Sequence, residues 1–336
     1  MGEMIRLRFV VIGPGAIGGL IGGLLHEAKM EVLFVGRGEH AETIARNGVT
    51  IERSEGTSVV RVPIVTKLEA VEFSDADVAI LATKSQDTLA LITRLAAVAP
   101  ASLPVVCAQN GVENERVALR HFKNVYGAAV VCAAERVQPG FIRAYSSPQV
   151  GNIDVGCYPD GIDDLCSSLV DALRRGSFRS TADPAIMRWK YAKMLKNLGN
   201  ALEAACGNGS RTGELARLVK AEGLACYRAA GINYTSDDEW EAHIGDHVTA
   251  RSIRGEPRPG GSTWQSLKVA AGSVETDFLN GEIALLGRIH AVPTPVNAAL
   301  QRVLQRMARD GMDAGAYTED RLARLLSQSH ARIGPF

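Results

Sequence analysis

The chain has 336 residues, 46% hydrophobic and 22% charged, a length that predicts two domains or one large one of ordinary globular composition. Lys and Arg number 37, as do Asp and Glu, so no long-range field favours nucleic acid or an acidic membrane surface. Cys107, Cys132, Cys157, Cys166, Cys206 and Cys226 are scattered, with no C-x-x-C and no metal-like grouping with histidine. That usage fits structural thiols in a reducing compartment and predicts no metal. No signal-peptide pattern precedes the first strand, and the apolar stretch 16–25 is too short and Gly-rich to span a bilayer; the expected location is the cytoplasm.

A nearly continuous β-branched run at 8–12 reads as a strand buried on both faces. It ends in Gly13-Pro14-Gly15-Ala16-Ile17-Gly18, a G-x-G-x-x-G that opens a helix. Gly13 permits a tight turn, Gly15 lets a pyrophosphate approach the backbone at Ala16 and Ile17, and Gly18 lets helix and strand pack closely. A second strand follows at 31–35, the context this motif needs to bind a dinucleotide. Arg37 stands at its end, where an acid would grip the ribose of NAD and an arginine can pair with the 2′-phosphate of NADP(H); Glu39 lies close by. NADP is the favoured cofactor.

Residues 49–65 read as a hairpin or crossover, and 77–83 as another buried strand that ends in Lys84. A lysine there lies on the ligand edge of a parallel sheet, before a helix expected over 88–97. The strand 104–108 ends in Gln109-Asn110-Gly111, which is also a common turn sequence, before a helix at 112–121. Strands at 124–132, 141–146 and 149–156 are expected to complete the sheet's far half, and a helix at 162–175 closes the domain near 182.

Beyond Pro184 strand patterning disappears. Helices are expected over 187–206, 212–230, 237–249, 275–290, 296–310 and 318–329, with an Arg/Gly/Pro-rich connection or lid at 254–261. Within the first helix Lys193, Asn197 and Asn200 fall inside an arc of about 60°. One ammonium and two amides on one face suit a small, oxygen-rich anion. Lys190 and Lys196 flank that face and are expected to reach solvent or phosphate. Ser262 lies beside the loop, and Glu275 and Asp277 stand in a first helical turn, where acids ordinarily serve the helix dipole.

Taken in order, the glycine-rich loop, Lys84-x-Gln86, Gln109-Asn110-Gly111, Lys193-x-x-x-Asn197, Ser262-x-x-Gln265, Glu275-x-Asp277-x-x-Asn280-Gly281 and Pro293-Thr294-Pro295-x-Asn297 resemble the ketopantoate reductase (2-dehydropantoate 2-reductase) family over nearly the whole chain. The resemblance implies an α/β fold: a Rossmann-type parallel-sheet NADP-binding domain (1–182) followed by an all-helical substrate domain (183–336). It implies NADPH and a 2-keto acid bound in the intervening cleft, with Lys193 as general acid and Glu275 orienting it. Asn197 and Ser262 then contact substrate, Asn110 and Lys84 line the cofactor and reaction centre, and Arg37 meets the 2′-phosphate; Asn200, the nearest candidate for the family's second asparagine, either replaces it or marks a different substrate.

Four departures accompany the match, one of them a Ser262-to-Glu275 spacing about one residue longer than the family's. Ala201 occupies the position of the second family asparagine, Trp189 is displaced from the W-x-K pattern, and Ser266 replaces an aspartate. Two other readings stay open: a related dehydrogenase for another 2-keto acid or an opine-type substrate, and a non-enzymatic NADPH-binding regulator. Apolar helical surface in the second domain is compatible with a homodimer.

Overall fold

The structure, a computed structural model, describes residues 7–269 and 272–332. It holds the Rossmann-type unit and the helical unit that the sequence implied. One compact unit runs to Lys190 and takes back Thr235–Arg258; the other holds Tyr191–Tyr234 and the chain from Pro259 onward. The contact boundary falls beyond 182 because Ile186 and Trp189 bury against Ala129 of the sheet.

The first unit begins with β1 (Arg8–Ile12), α1 (Ala16–Glu27), β2 (Glu31–Val35) and α2 (Gly38–Asn47). The hairpin β3 (Val49–Arg53) and β4 (Gly56–Val60) leads through β5 (Ile64–Val65) to β6 (Asp77–Leu81), α3 (Thr88–Ala96), β7 (Val105–Cys107), α4 (Asn114–Leu119) and β8 (Val125–Val131). Then come β9 (Ala134–Gln138), β10 (Phe141–Ala144), β11 (Ser146–Pro148), β12 (Asn152–Cys157) and α5 (Asp164–Arg175).

Among the described residues, seven strands form the main sheet in the order β12-β8-β7-β6-β1-β2-β5. All neighbours are parallel except β12 against β8. Strand β1 shows why: Phe9 and Val11 enter the core shared with Leu20 and Leu24 of α1, while Val10 and Ile12 face Ile92 and Leu95 of α3. A strand covered on both faces needs apolar residues at every position. From β1 the chain builds outward to β2, then returns to lay β6 on the other side. That reversal is the switch point where such sheets bind ligands.

The expected strand at 141–146 does not join this sheet. Instead β10 pairs parallel with β3 and antiparallel with β9 in a sheet of order β4-β3-β10-β9. Its register is held from below by Ile142, fully buried, and at the side by Arg143 Nε on the buried Glu52 at 2.7 Å.

Helix α6 (Ile186–Asn197) starts in the first unit and is followed by α7 (Asn200–Cys206) and α8 (Glu214–Ala230). The single helix expected over 187–206 is thus two. Leu198 and Gly199 form a turn, and the Leu198 carbonyl accepts the side-chain amide of Asn280 at 3.3 Å. The helix expected over 237–249 is also shorter. The segment α9 (Asp237–His243) has a capping box from Ser236 and Glu239, and β13 (Val248–Ala250) then pairs antiparallel with β11. The second half is therefore not wholly helical. Arg254 and Glu256, in the expected lid, are tied to Glu52 and Arg143 at 2.8 and 2.9 Å within the first unit.

The remaining elements are α10 (Ser262–Lys268), a 3-10 turn at Glu275–Phe278, α11 (Asn280–Ile289), α12 (Pro295–Arg309) and α13 (Glu319–Arg332). No helix among the described residues is long and apolar enough to cross a membrane.

Candidate active site

Three strands of the first unit end level with one another, Ile12 beside Leu81 and Leu81 beside Cys107. The glycine-rich loop, Thr83-Lys84 and Gln109-Asn110 therefore emerge together on the carboxyl edge of the sheet. Lys84 and Asn110 are half-buried there. Arg37 leaves β2 on the same edge as the residue before α2, its side chain 88% exposed and 3.5 Å from Asp87. So loose an exposed pair holds the guanidinium weakly.

The loop's glycines serve different needs. Gly13 has φ +91°, and a Cβ there meets the Thr83 backbone nitrogen at 2.9 Å. At Gly18 a Cβ lies 2.3 Å from the Gly13 carbonyl oxygen and 2.8 Å from Ala82 Cβ. Gly15, the residue before α1, has nothing within 4 Å of that position. No side chain among the described residues caps α1, and its first turn carries no acid. Backbone N–H groups at a long helix's positive end, with clear space before them, fit a dinucleotide's pyrophosphate.

Sequence reasoning missed His40, which braces this loop. Its Nδ1 accepts the Gly140 N–H at 2.9 Å, so the proton sits on Nε2, which donates to the Pro14 carbonyl at 2.7 Å. Burial, followed by the charge of Arg136, outweighs that bond and lowers the His40 pKa. The unfolded chain therefore takes the proton first as pH falls. Stability from neutral His40 is complete above its usual value of about 6.5 and is lost as pH drops through 6.5 toward the lower folded-state value. Thermal melts check this: the advantage of wild type over His40→Gln is expected to shrink between about pH 7.5 and about pH 5.

Behind Asn110 lies a buried polar network. Asn114 donates to the Asn110 carbonyl at 2.7 Å, Ser85 donates to the same carbonyl at 3.1 Å, and Thr88 Oγ1 bridges Asn114 and Gln109 at 2.7 and 3.0 Å. Lys190 joins from below. Expected to reach solvent or phosphate, it is instead 3% exposed, paired with the fully buried Glu115 and bonded to the carbonyls of Cys107 and Gln109. The displaced Trp189 donates to Asp183 at 2.7 Å and packs on Trp240 and His243, seating the start of α6.

In the helical unit Lys193 and Asn197 share α6 and are half-buried, whereas Asn200 lies past the break, on α7. One continuous helical face does not hold all three residues. Asn200 is buried beside Gly261: its Oδ1 stands 3.3 Å from where a Cβ on Gly261 falls, next to Ser262 at the head of α10. Glu203, another residue the sequence reading missed, accepts the Gly261 N–H at 2.9 Å and faces Arg211. A lone acid on the small-residue run N-A-L-E-A-A-C was the available signal. Ser266 turns back to the Ser262 carbonyl at 3.0 Å.

Glu275 and Asp277 part company in the 3-10 turn. Glu275 is 4% exposed, while Asp277 lies at the surface and accepts from Gln301 at 2.7 Å. The turn is fixed from behind. Asn280 donates to Asn297 at 2.9 Å as well as to Leu198, and Asn297 donates to Glu222 and the Val219 carbonyl at 2.8 and 3.0 Å. These motif asparagines are buried joints that tie the Glu275 turn to the end of α6.

No grouping of cysteines was visible in the sequence, yet Cys157 and Cys166 bring their sulfurs within 3.9 Å beside Asp163. Both Asp163 oxygens are taken, one by the Cys166 N–H and one by the Tyr126 hydroxyl, and burial pushes the Cys166 thiol up to about 12.

Level strand ends at a switch point and an open glycine-rich loop are the geometry that binds a dinucleotide, and the relatives of this chain make its class an oxidoreductase that uses a nicotinamide dinucleotide. Two family models then cover most of the chain, "Ketopantoate reductase PanE/ApbA" over residues 9–160 and its C-terminal counterpart over 185–308; the chain belongs to this family.

It is 26% identical over 319 residues to a 2-dehydropantoate 2-reductase of Halobacterium salinarum, covering 91% of this chain and 100% of that one. A Mycobacterium tuberculosis protein of the same name is 27% identical over 310 residues, with 90% and 97% covered. Among solved structures, a PanE/ApbA family ketopantoate reductase from Ralstonia eutropha matches at TM-score 0.75 and 24% identity, covering 91% and 99%. A D-mandelate dehydrogenase with NADH and anilino(oxo)acetate matches at 0.76 and 21%, with the same coverage. Both structures share the fold.

Proposed function

We propose that the protein reduces a 2-keto acid to its 2-hydroxy acid with NADPH in the cytoplasm, the substrate being 2-dehydropantoate. The observation that supports this most is the arrangement of the helical unit. The Asn280–Leu198 bond ties the buried Glu275 turn to the end of the helix that carries Lys193 and Asn197. When bound, the nicotinamide supplies hydride to the keto carbon. Lys193 donates the proton to the former keto oxygen, and Glu275 orients the ammonium. Asn197, Asn200 and Ser262 hold the substrate's oxygens without adding charge, while Asn110 and Lys84 line the cofactor side.

Arg37 selects NADPH by pairing with the 2′-phosphate. Arg37→Ala is expected to lower the preference for NADPH over NADH by about tenfold, measured as the ratio of the two kcat/KM values. An unchanged ratio removes Arg37 from cofactor choice.

A second reading, reduction of a different 2-keto acid, is favoured by Ala201 and Ser266, where the chain leaves the family pattern. Oxidation of NADPH and NADH, followed over a panel of 2-keto acids with and without amines, decides between them. Fastest turnover on 2-dehydropantoate supports the first reading, and a better acceptor supports the second. Nucleotide binding with no turnover on any acid points to a regulatory protein and overturns both.

A further inference from the structure

We infer that the buried Lys190–Glu115 pair is a positioning device: from the first turns of α6 it sets the backbone of the Gln109-Asn110-Gly111 loop. The ammonium has three donors, and three acceptors take them: the carbonyls of Cys107 at 3.3 Å and Gln109 at 3.2 Å, and Glu115 Oε1. Cys107 ends β7 and Gln109 starts the loop, so Lys190 spans the point where the strand gives way to the ligand edge. The Asn110 carbonyl is taken in turn by Ser85 and Asn114. The carbonyls of Cys107, Gln109 and Asn110 thus each accept at least one side-chain donor.

A second observation shows that the helix is seated for this task. Gly127 and Gly156 lie opposite each other on β8 and β12. A Cβ on Gly127 comes within 3.1 Å of Ile186 and 3.6 Å of Lys190 Cδ, and one on Gly156 lies 2.1 Å from the Asp183 carbonyl oxygen. Two facing glycines thus flatten the sheet where α6 begins, and Lys190 can pass over it to reach the end of β7. A generic anchor needs neither the flat patch nor the two backbone carbonyls.

Stranding one charge is costly here. Glu115 Oε2 is buried without a partner among the described residues, so the carboxylate depends on Lys190. Lys190→Met alone leaves a buried charge and can fail to fold. The double variant Lys190→Met/Glu115→Leu removes both charges, a replacement that cores tolerate well. Lys190→Arg keeps the charge with a different reach.

The experiment uses the full chain and three readouts: melting temperature, hydrogen exchange of the 107–112 backbone without ligand, and the Kd for NADPH. The double variant is expected to melt near wild type yet to exchange at least about tenfold faster over 107–112 and to bind NADPH about tenfold more weakly. Lys190→Arg is expected to fall between. Unchanged exchange in whichever of these variants folds overturns the proposal. The NADPH readout rests on the function proposed above, but the exchange readout does not. Wild type that turns over no keto acid refutes that function and leaves the exchange result to decide this one.

Discussion

Lys193→Ala is expected to lower kcat by about 10²–10⁴-fold while leaving the Kd for NADPH nearly unchanged. Hydride addition to a keto carbon leaves negative charge on the oxygen, and a proton must arrive as that charge develops. A positioned ammonium supplies both the charge and the proton. Both neighbouring lysines are placed differently. Lys190, one turn earlier, has all its donors committed to Glu115 and two carbonyls. Lys196, one turn later, stands about 60° further round the helix, its own carbonyl bound by Arg211.

Steady-state kinetics with fluorescence titration of NADPH measure kcat and Kd. Near-wild-type turnover in the variant removes Lys193 from the chemistry and leaves the nucleotide site untouched.

What could be read from the chain depended on how far apart the cooperating residues lie. The β1 loop and α1 were legible because Gly13 and Gly18 act on backbone within a few residues or on the adjacent strand. Helix α6 was legible as a helix, but its end was not. The carbonyl that marks the break at Leu198 is claimed by Asn280, far along the chain, and periodicity carries no trace of that bond. Strand β13 has three residues and no alternation of its own; it exists because β11 offers an edge.

Charge posed the same difficulty. A helical wheel sees Lys190 as a flank of the Lys193 face and assigns it to solvent. Its burial follows from Glu115 and from glycines on two strands, none of them near it in sequence. Local pattern fixes which way a side chain leaves its helix, and tertiary partners decide what it meets there.

The loop glycines allow the nucleotide site to be tested separately from the fold. Gly18→Ala places a methyl 2.3 Å from the Gly13 carbonyl oxygen, so α1 must move away from β1. Overpacking of this kind costs about 1–3 kcal/mol, or roughly 3–10 °C in a domain of this size. The N–H groups at the head of α1 shift with the helix, and NADPH affinity falls by about 10²-fold or more. Gly15→Ala should behave differently. The residue has φ −72° and extended backbone that alanine adopts, and its methyl enters empty space, so the melting temperature is expected to hold or rise slightly. On the proposed reading that space is the approach of the pyrophosphate, and NADPH affinity is expected to fall by a similar factor. A loss of binding in Gly15→Ala without a loss of stability identifies the loop as a phosphate cradle. Equal binding in Gly15→Ala and wild type shows that the nucleotide does not pass over Gly15.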